Sequence, residues 1–194
     1  DGWSTDVLLK ELQAYYDYYS GQADKVDLPD LSIQYKDFAV WQRGYLQGEE
    51  LEKQISYWRD RLSGYETLNL PTDYPRPGRV DYRGDAIDFE LDELVSNKLR
   101  DIAKENNTSL YSLMLSAFYV LLYKYTGQDD IVVGTPIANR HHSQTQDLIG
   151  FFVNSLALRE HLDSNKTIIE LLIEVHNNLI EAQSHQDLPF EKLV

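Results

Sequence analysis

Apolar and polar positions along the chain sort into segments of distinct period. From Ser4 onward, Val7, Leu8, Leu12, Tyr15, Tyr16 and Tyr19 recur at three- and four-residue spacing, which predicts one face of an α-helix. Ser4 is the expected N-cap and Gly21 the stop, followed by a polar loop over 21–29. A second helix is predicted over 32–46, carrying Tyr35, Phe38, Ala39 and Trp41. A third, over 49–62, has acidic residues in its first turn and Arg59 and Arg61 in its last, as the helix dipole favours, with Gly64 as the stop. Pro71, Pro75, Pro77, Gly78 and Gly84 make 70–84 a linker rather than a regular element. Ala86 to Leu91 alternates apolar and acidic residues, the pattern of a half-exposed strand.

An amphipathic helix is predicted over 92–106. A longer one, capped by Ser109 and running to Tyr125, is apolar on most sides and is expected to be buried, with Gly127 ending it. Ile131 to Ile137 is a β-branched run expected to be broken by Gly134 and Pro136, and Phe151 to Leu158 reads as another strand. Thr167 opens a last helix through Ile168, Leu171, Leu172, Val175, Leu179 and Ile180. Helices and strands interleave, which predicts an α/β layered domain.

The 194 residues suit one domain, or two small lobes sharing a core, and a chain of this length buries about 70% of its unfolded surface. A hydrophobic fraction of 42% and a charged fraction of 26% exclude a disordered, collagen-like or membrane chain. The net charge of −14 repels phosphate backbones and anionic lipid, so no nucleic-acid or membrane partner is expected. Cysteine is absent, so there is no disulfide, thiol nucleophile or thiolate zinc site, which is compatible with a reducing cytoplasm. The chain starts at Asp1 without an apolar leader, and Asp-Gly-Trp-Ser runs straight into a helix. It reads as an internal piece of a longer polypeptide.

Complete catalytic sets are not evident. His141 and His142 form the most tempting pair, since a neutral imidazole is a good general base near pH 7. They fall in the polar stretch from Asn139 to Asp147, which reads as a solvated loop. His176 reads as a helix-surface residue. No spacing brings together the three or four ligands a metal needs, and with 32 acidic residues a close carboxylate pair carries no weight. Asp129-Asp130 reads as a turn. Chemistry alone stops at an acidic α/β domain.

Five segments in order go further. They are Tyr35-Lys-Asp37-Phe-Ala-Val-Trp41, Leu70-Pro71-Thr-Asp73-Tyr-Pro75-Arg76-Pro77 and Gly134-Thr-Pro136-Ile-Ala-Asn139-Arg140, then Ile149-Gly150-Phe-Phe-Val153-Asn154-Ser-Leu-Ala-Leu-Arg159 and His185-Gln186-Asp187-Leu-Pro189-Phe190-Glu191. Together the chain resembles the condensation domain of nonribosomal peptide synthetases. Asp1-Gly2 resemble the last two residues of that family's HHxxxDG element, whose histidines are not among these 194 residues. His141-His142 do not fit the element: five positions, not four, separate His142 from Asp147, and no glycine follows.

The resemblance implies a chloramphenicol-acetyltransferase-like two-lobe fold, with residues 1–30 ending the first lobe and 31–194 forming most of the second. It implies amide-bond formation between a donor acyl thioester and an acceptor aminoacyl thioester. Both would be carried on phosphopantetheine arms of donor and acceptor carrier proteins, beside an adenylation domain in the parent chain, as in antibiotic biosynthesis. No metal and no cofactor of the domain's own is implied. Gly2 would offer a backbone N–H to the developing oxyanion, while Asp1 would pair with an arginine, Arg140 first and Arg159 second. Trp3, Ser4, Asn154, Gln186 and Asp187 would lie at the substrate tunnel. Tyr35, Asp37, Trp41, Arg140, Arg159, Pro189 and Phe190 would hold the fold. The 194 residues alone are expected to be inactive and to expose apolar surface unless they dimerise. An epimerisation domain, a heterocyclisation variant and a non-catalytic carrier-docking module are the alternatives.

Overall fold

Asp1, not Ser4, caps the first helix: its side chain accepts the Ser4 N–H, and the helix starts three residues earlier than the apolar pattern indicates. A computed structural model describes residues 1–75 and 77–193; Arg76 of the proline-rich segment lies outside them. The elements are α1 (Gly2–Tyr19), α2 (Tyr35–Tyr45), α3 (Gly48–Leu62), α4 (Glu93–Glu105), α5 (Leu110–Thr126), β1 (Asp130–Ile137), β2 (Asn154–His161) and α6 (Ile168–Gln183). Short 3₁₀ turns lie at Ser143–Thr145 and Phe190–Lys192. Mixed helix and strand agree with the α/β expectation.

The chain divides into two compact units. The first holds Asp1–Arg61, Gly134–Leu156 and His185–Val194; the second holds Leu62–Val133 and Ala157–Ser184. In the first unit, Phe38 on α2 packs with Leu148 and Phe152, and Ile33 lies against them. Asp37 sets the start of α2 by accepting the Gln34 N–H at 2.8 Å. On α3, Trp58 is buried and its indole N–H donates to the His185 carbonyl at 2.9 Å. The α1 face is buried only at Ser4 and Val7; Leu8, Leu12, Tyr15, Tyr16 and Tyr19 are exposed. The helical period is as the spacing predicts, and most of the apolar stripe it defines lies exposed.

In the second unit, α5 packs on α4 and α6, with Ala103, Leu113 and Leu172 at the centre and Leu99 and Ile102 against them. Asp92, Ser109 and Thr167 cap α4, α5 and α6, and Gly127, at φ +70°, ends α5 in the left-handed conformation that glycine adopts without steric cost. One face of α5 buries Leu115, Tyr119 and Leu122, while Leu110, Met114, Phe118 and Leu121 face out, so this helix is half-buried rather than enclosed.

β1 and β2 make the one sheet of the described residues. They run antiparallel, because the Leu162 N–H just past β2 donates to the carbonyl of Asp129 just before β1. β1 runs unbroken through Gly134 and Pro136. Every strand of a two-stranded sheet is an edge, where proline's missing N–H costs nothing if it faces outward. β2 begins three residues later than predicted. Its upstream backbone is already committed: the Phe151 carbonyl accepts from the Tyr35 hydroxyl and the Phe152 N–H donates to Asp1. The segment 86–91 is no strand; Ile87 and Phe89 are exposed, and a strand requires a hydrogen-bonded neighbour. The 70–84 segment has no regular element at its described residues, as expected.

Candidate functional site

The first turn of α1 and the segment from Arg140 to Phe152, both in the first unit, build one hydrogen-bonded knot. Asp1 Oδ1 accepts the Ser4 N–H at 2.8 Å, and Oδ2 accepts the Phe152 N–H at 3.0 Å. Arg140 Nη2 lies 3.4 Å from Asp1 Oδ1 and 3.5 Å from Oδ2, and donates to Ser4 Oγ at 2.8 Å. Its Nη1 donates to the carbonyls of Thr145 at 2.5 Å and Leu148 at 2.8 Å. The guanidinium carbon lies 4.1 Å from the centroid of the Phe152 ring, a stacking contact open to arginine's planar cation. Among the described residues Arg140 Nε has no hydrogen-bond partner. Burial pushes the Arg140 pKa down from its ordinary value, yet arginine stays charged in proteins. The knot is thus a buried cation held by one carboxylate, one hydroxyl and two carbonyls.

Ser4 uses its whole hydroxyl. It donates to the Gly150 carbonyl at 2.7 Å and accepts from the Gly150 N–H at 3.0 Å and from Arg140. Gly150 has to be glycine here for lack of space: a Cβ would lie 2.7 Å from Tyr35 Cγ and 2.9 Å from Phe152 Cε2. Gly2 occupies the first position of α1, where backbone N–H groups have no intrahelical acceptor. Trp3 turns outward; its indole N–H donates to the Gln146 carbonyl at 2.8 Å. With Asp6, Val7, Lys10, Gln146 and Asp147 it lines an open cavity of about 330 Å³.

A second cluster of the same unit gathers the end of the chain. Asn154 Nδ2 donates to the carbonyls of Gln186 and Leu188, each at 2.8 Å, and its Oδ1 accepts the Phe190 N–H at 3.1 Å. Pro189 caps the 3₁₀ turn that follows. His141 Nε2 lies 3.5 Å from Asp187 Oδ1, and its Nδ1 lies 3.5 Å from Gln186 Nε2. The His141 and His142 rings are 4.3 Å apart, and His142 sits edge-on to Trp41 at 4.8 Å. The histidine pair is therefore exposed yet engaged, rather than freely solvated. Its neighbours form no group of three metal-ligating side chains among the described residues.

Of the two arginines named for Asp1, the structure places Arg140 there. Arg159 belongs to the second unit and grips Asp130, with Nε to Oδ1 at 2.7 Å and Nη2 to Oδ2 at 2.8 Å. That bidentate pair pulls the Asp130 carboxyl below its usual range, helped by the Glu66 N–H, and raises the arginine. His176, expected on a helix surface, has Nδ1 3.0 Å from the buried Ser112 hydroxyl. The sequence pattern did not reveal Gly150 and the Phe152 N–H as partners of α1. A lone glycine ahead of two phenylalanines was the available signal.

The condensation-domain family model matches residues 1–194. Tyrocidine synthase 3 of Brevibacillus parabrevis is 45% identical over 195 residues, covering 100% of this chain and 3% of that protein. Surfactin synthase subunit 1 of Bacillus subtilis (strain 168) is also 45% identical, covering 100% of this chain and 5% of its own length. The chain thus spans a small part of each of these relatives. Among solved structures, a four-domain nonribosomal peptide synthetase bound to AMP and glycine superposes with a TM-score of 0.87 at 28% identity, over 100% of this chain and 14% of that one. The X-domain from teicoplanin biosynthesis does so with a TM-score of 0.87 at 27% identity, over 100% of this chain and 44% of that one. The five ordered motifs, the chloramphenicol-acetyltransferase-like fold and these matches agree: the chain belongs to the condensation-domain family of nonribosomal peptide synthetases.

Proposed function

We propose that this chain is part of a domain that forms an amide bond. The amine of an acceptor aminoacyl thioester attacks the carbonyl carbon of a donor acyl thioester. A C–N bond forms, the C–S bond breaks, and the amine's proton leaves with the released thiol. Both substrates ride on phosphopantetheine arms of carrier proteins, with an adenylation domain in the same parent chain. The domain brings no cofactor of its own. The observation that carries this reading is the knot around Asp1-Gly2, where a buried Asp1–Arg140 pair fixes the first turn of α1.

In this reading Asp1 holds backbone in place and transfers no proton. Gly2 offers its N–H to the oxyanion that develops on the donor carbonyl, as acyl transfer requires. Trp3, Gln186 and Asp187 face the substrates, while Asn154 shapes the turn that carries the latter two. Residues 1–30 end the first lobe and 31–194 belong to the second. The histidine that precedes Asp-Gly by four positions in the family element is not among these 194 residues, so they are expected to be inactive when assayed alone. The test is a condensation assay with two loaded carrier proteins, run on the complete domain containing this chain and on the 194 residues alone. Amide product from the complete domain only is expected. No product from the complete domain, with carriers verified as loaded, refutes the reading.

A further inference from the structure

The hydroxyl of Ser4 is the one side-chain group in the knot that holds both backbone groups of a single residue. It binds the N–H and the C=O of Gly150 and also receives Arg140 Nη2. A hydroxyl has one proton and two lone pairs, and all three are spent here with Ser4 only 8% exposed. The residue therefore has no capacity left for a substrate. Asp1, three positions earlier, needs Ser4's own N–H as a partner and shares Arg140 with Ser4's side chain. The 148–152 segment cannot shift to compensate, because the Tyr35 and Phe152 rings close on Gly150 and the Tyr35 hydroxyl is tied to the Phe151 carbonyl.

From this we infer that Ser4 is a positioning residue for the acyl-transfer chemistry. It latches the start of α1 onto Gly150 and so fixes where Gly2 and the residues around it present themselves to the reacting thioester. The inference rests on the proposed function and deepens it: Ser4 moves from the tunnel wall to the frame behind it. Small displacements of reacting groups cost orders of magnitude in rate, so a latch of this kind acts on kcat rather than on carrier binding.

The experiment uses the complete domain with both loaded carriers, at a temperature where circular dichroism shows every variant fully folded. Ser4→Ala is expected to lower kcat about 10- to 100-fold per folded molecule, with KM for both carriers unchanged. Ser4→Thr, which keeps the hydroxyl, is expected to recover most of the rate. If Ser4→Ala does not fold, Ser4→Cys keeps the volume and weakens the hydrogen bonds, and the same fall in kcat is expected of it. Wild-type kcat per folded molecule in the Ala or Cys variant, or a loss tracking only the folded fraction, overturns the role. So does failure of Ser4→Thr to outperform Ser4→Ala. A wild-type domain that makes no amide overturns the proposed function and this role together; an active wild type with an indifferent Ser4→Ala overturns the role alone.

Discussion

The Asp1 carboxylate and the Arg140 guanidinium meet at 3.4 Å with their side chains 5% and 1% exposed. Two charges so far out of water are worthwhile only when their remaining hydrogen-bonding capacity is met. Here Ser4, Thr145, Leu148 and Phe152 supply most of it, Arg140 Nε alone of the two side chains' polar atoms having no hydrogen-bond partner among the described residues. Neutralising one partner strands the other, so Asp1→Asn in the complete domain should cost about 3 kcal/mol of unfolding free energy. Urea denaturation measures this directly. A variant within experimental error of wild type would show that the pair does not hold the turn.

The second ion pair makes a pH prediction. Asp130 is held below its ordinary range, first by Arg159 and then by the Glu66 N–H, with His161 also nearby. A carboxyl with a lowered folded pKa binds fewer protons folded than unfolded, so stability rises with pH across that interval. The contribution is complete above the unfolded value of about 4 and is lost as pH falls through the folded value below it. Arg159→Gln should therefore lose about 3 kcal/mol at pH 7 and show a flatter fall in Tm between neutral pH and acid. Parallel Tm–pH curves for variant and wild type would contradict the assignment.

Asn154 closes the turn after α6 with two donated bonds and one accepted bond. Asn154→Asp keeps the shape but turns an amide donor toward two carbonyls into an acceptor. Leaving two carbonyls unpaired and adding repulsion should cost about 2–4 kcal/mol, with Asn154→Ala less severe. Chemical denaturation ranks the two; equal costs would mean that the amide protons are not the important part.

Local signals in the sequence carried most of the elements. The starts at Ser109 and Thr167 and the stop at Gly127 appear where side-chain chemistry alone puts them, while Asp92, read as the first residue of its helix, is its cap. Errors arose where tertiary partners outbid local pattern. Ser4 has the right chemistry for a cap, but its hydroxyl is taken by Gly150, 146 residues away, and Asp1 does the capping. The Phe151–Val153 stretch has strand character, yet side chains of Tyr35 and Asp1 claim its backbone groups. The alternating stretch 86–91 lacks a hydrogen-bonded neighbour strand among the described residues. At the site, the pairing of Asp1 with Arg140 was reachable through the motif resemblance. Ser4's frame role was not, because it depends on one glycine's close approach, which no spacing encodes.

That approach gives the last prediction. A methyl group on Gly150 would sit 2.7 Å from Tyr35 Cγ and 2.9 Å from Phe152 Cε2. Neither ring can step aside cheaply. Tyr35 is tethered through its hydroxyl to Phe151, and Phe152 is wedged between Phe38, at 4.7 Å between centroids, and the Arg140 guanidinium. Overpacking of this kind should make Gly150→Ala cost about 2–3 kcal/mol. If the Tyr35 ring is the obstacle, the penalty must shrink once it is removed. In a double-mutant cycle with Tyr35→Ala, the combined variant should be about 1 kcal/mol or more less destabilised than the two single costs predict. Simple additivity would mean that the obstacle is Phe152 or the backbone instead, and that the Tyr35 ring plays no part in fixing the Gly150 segment against Ser4.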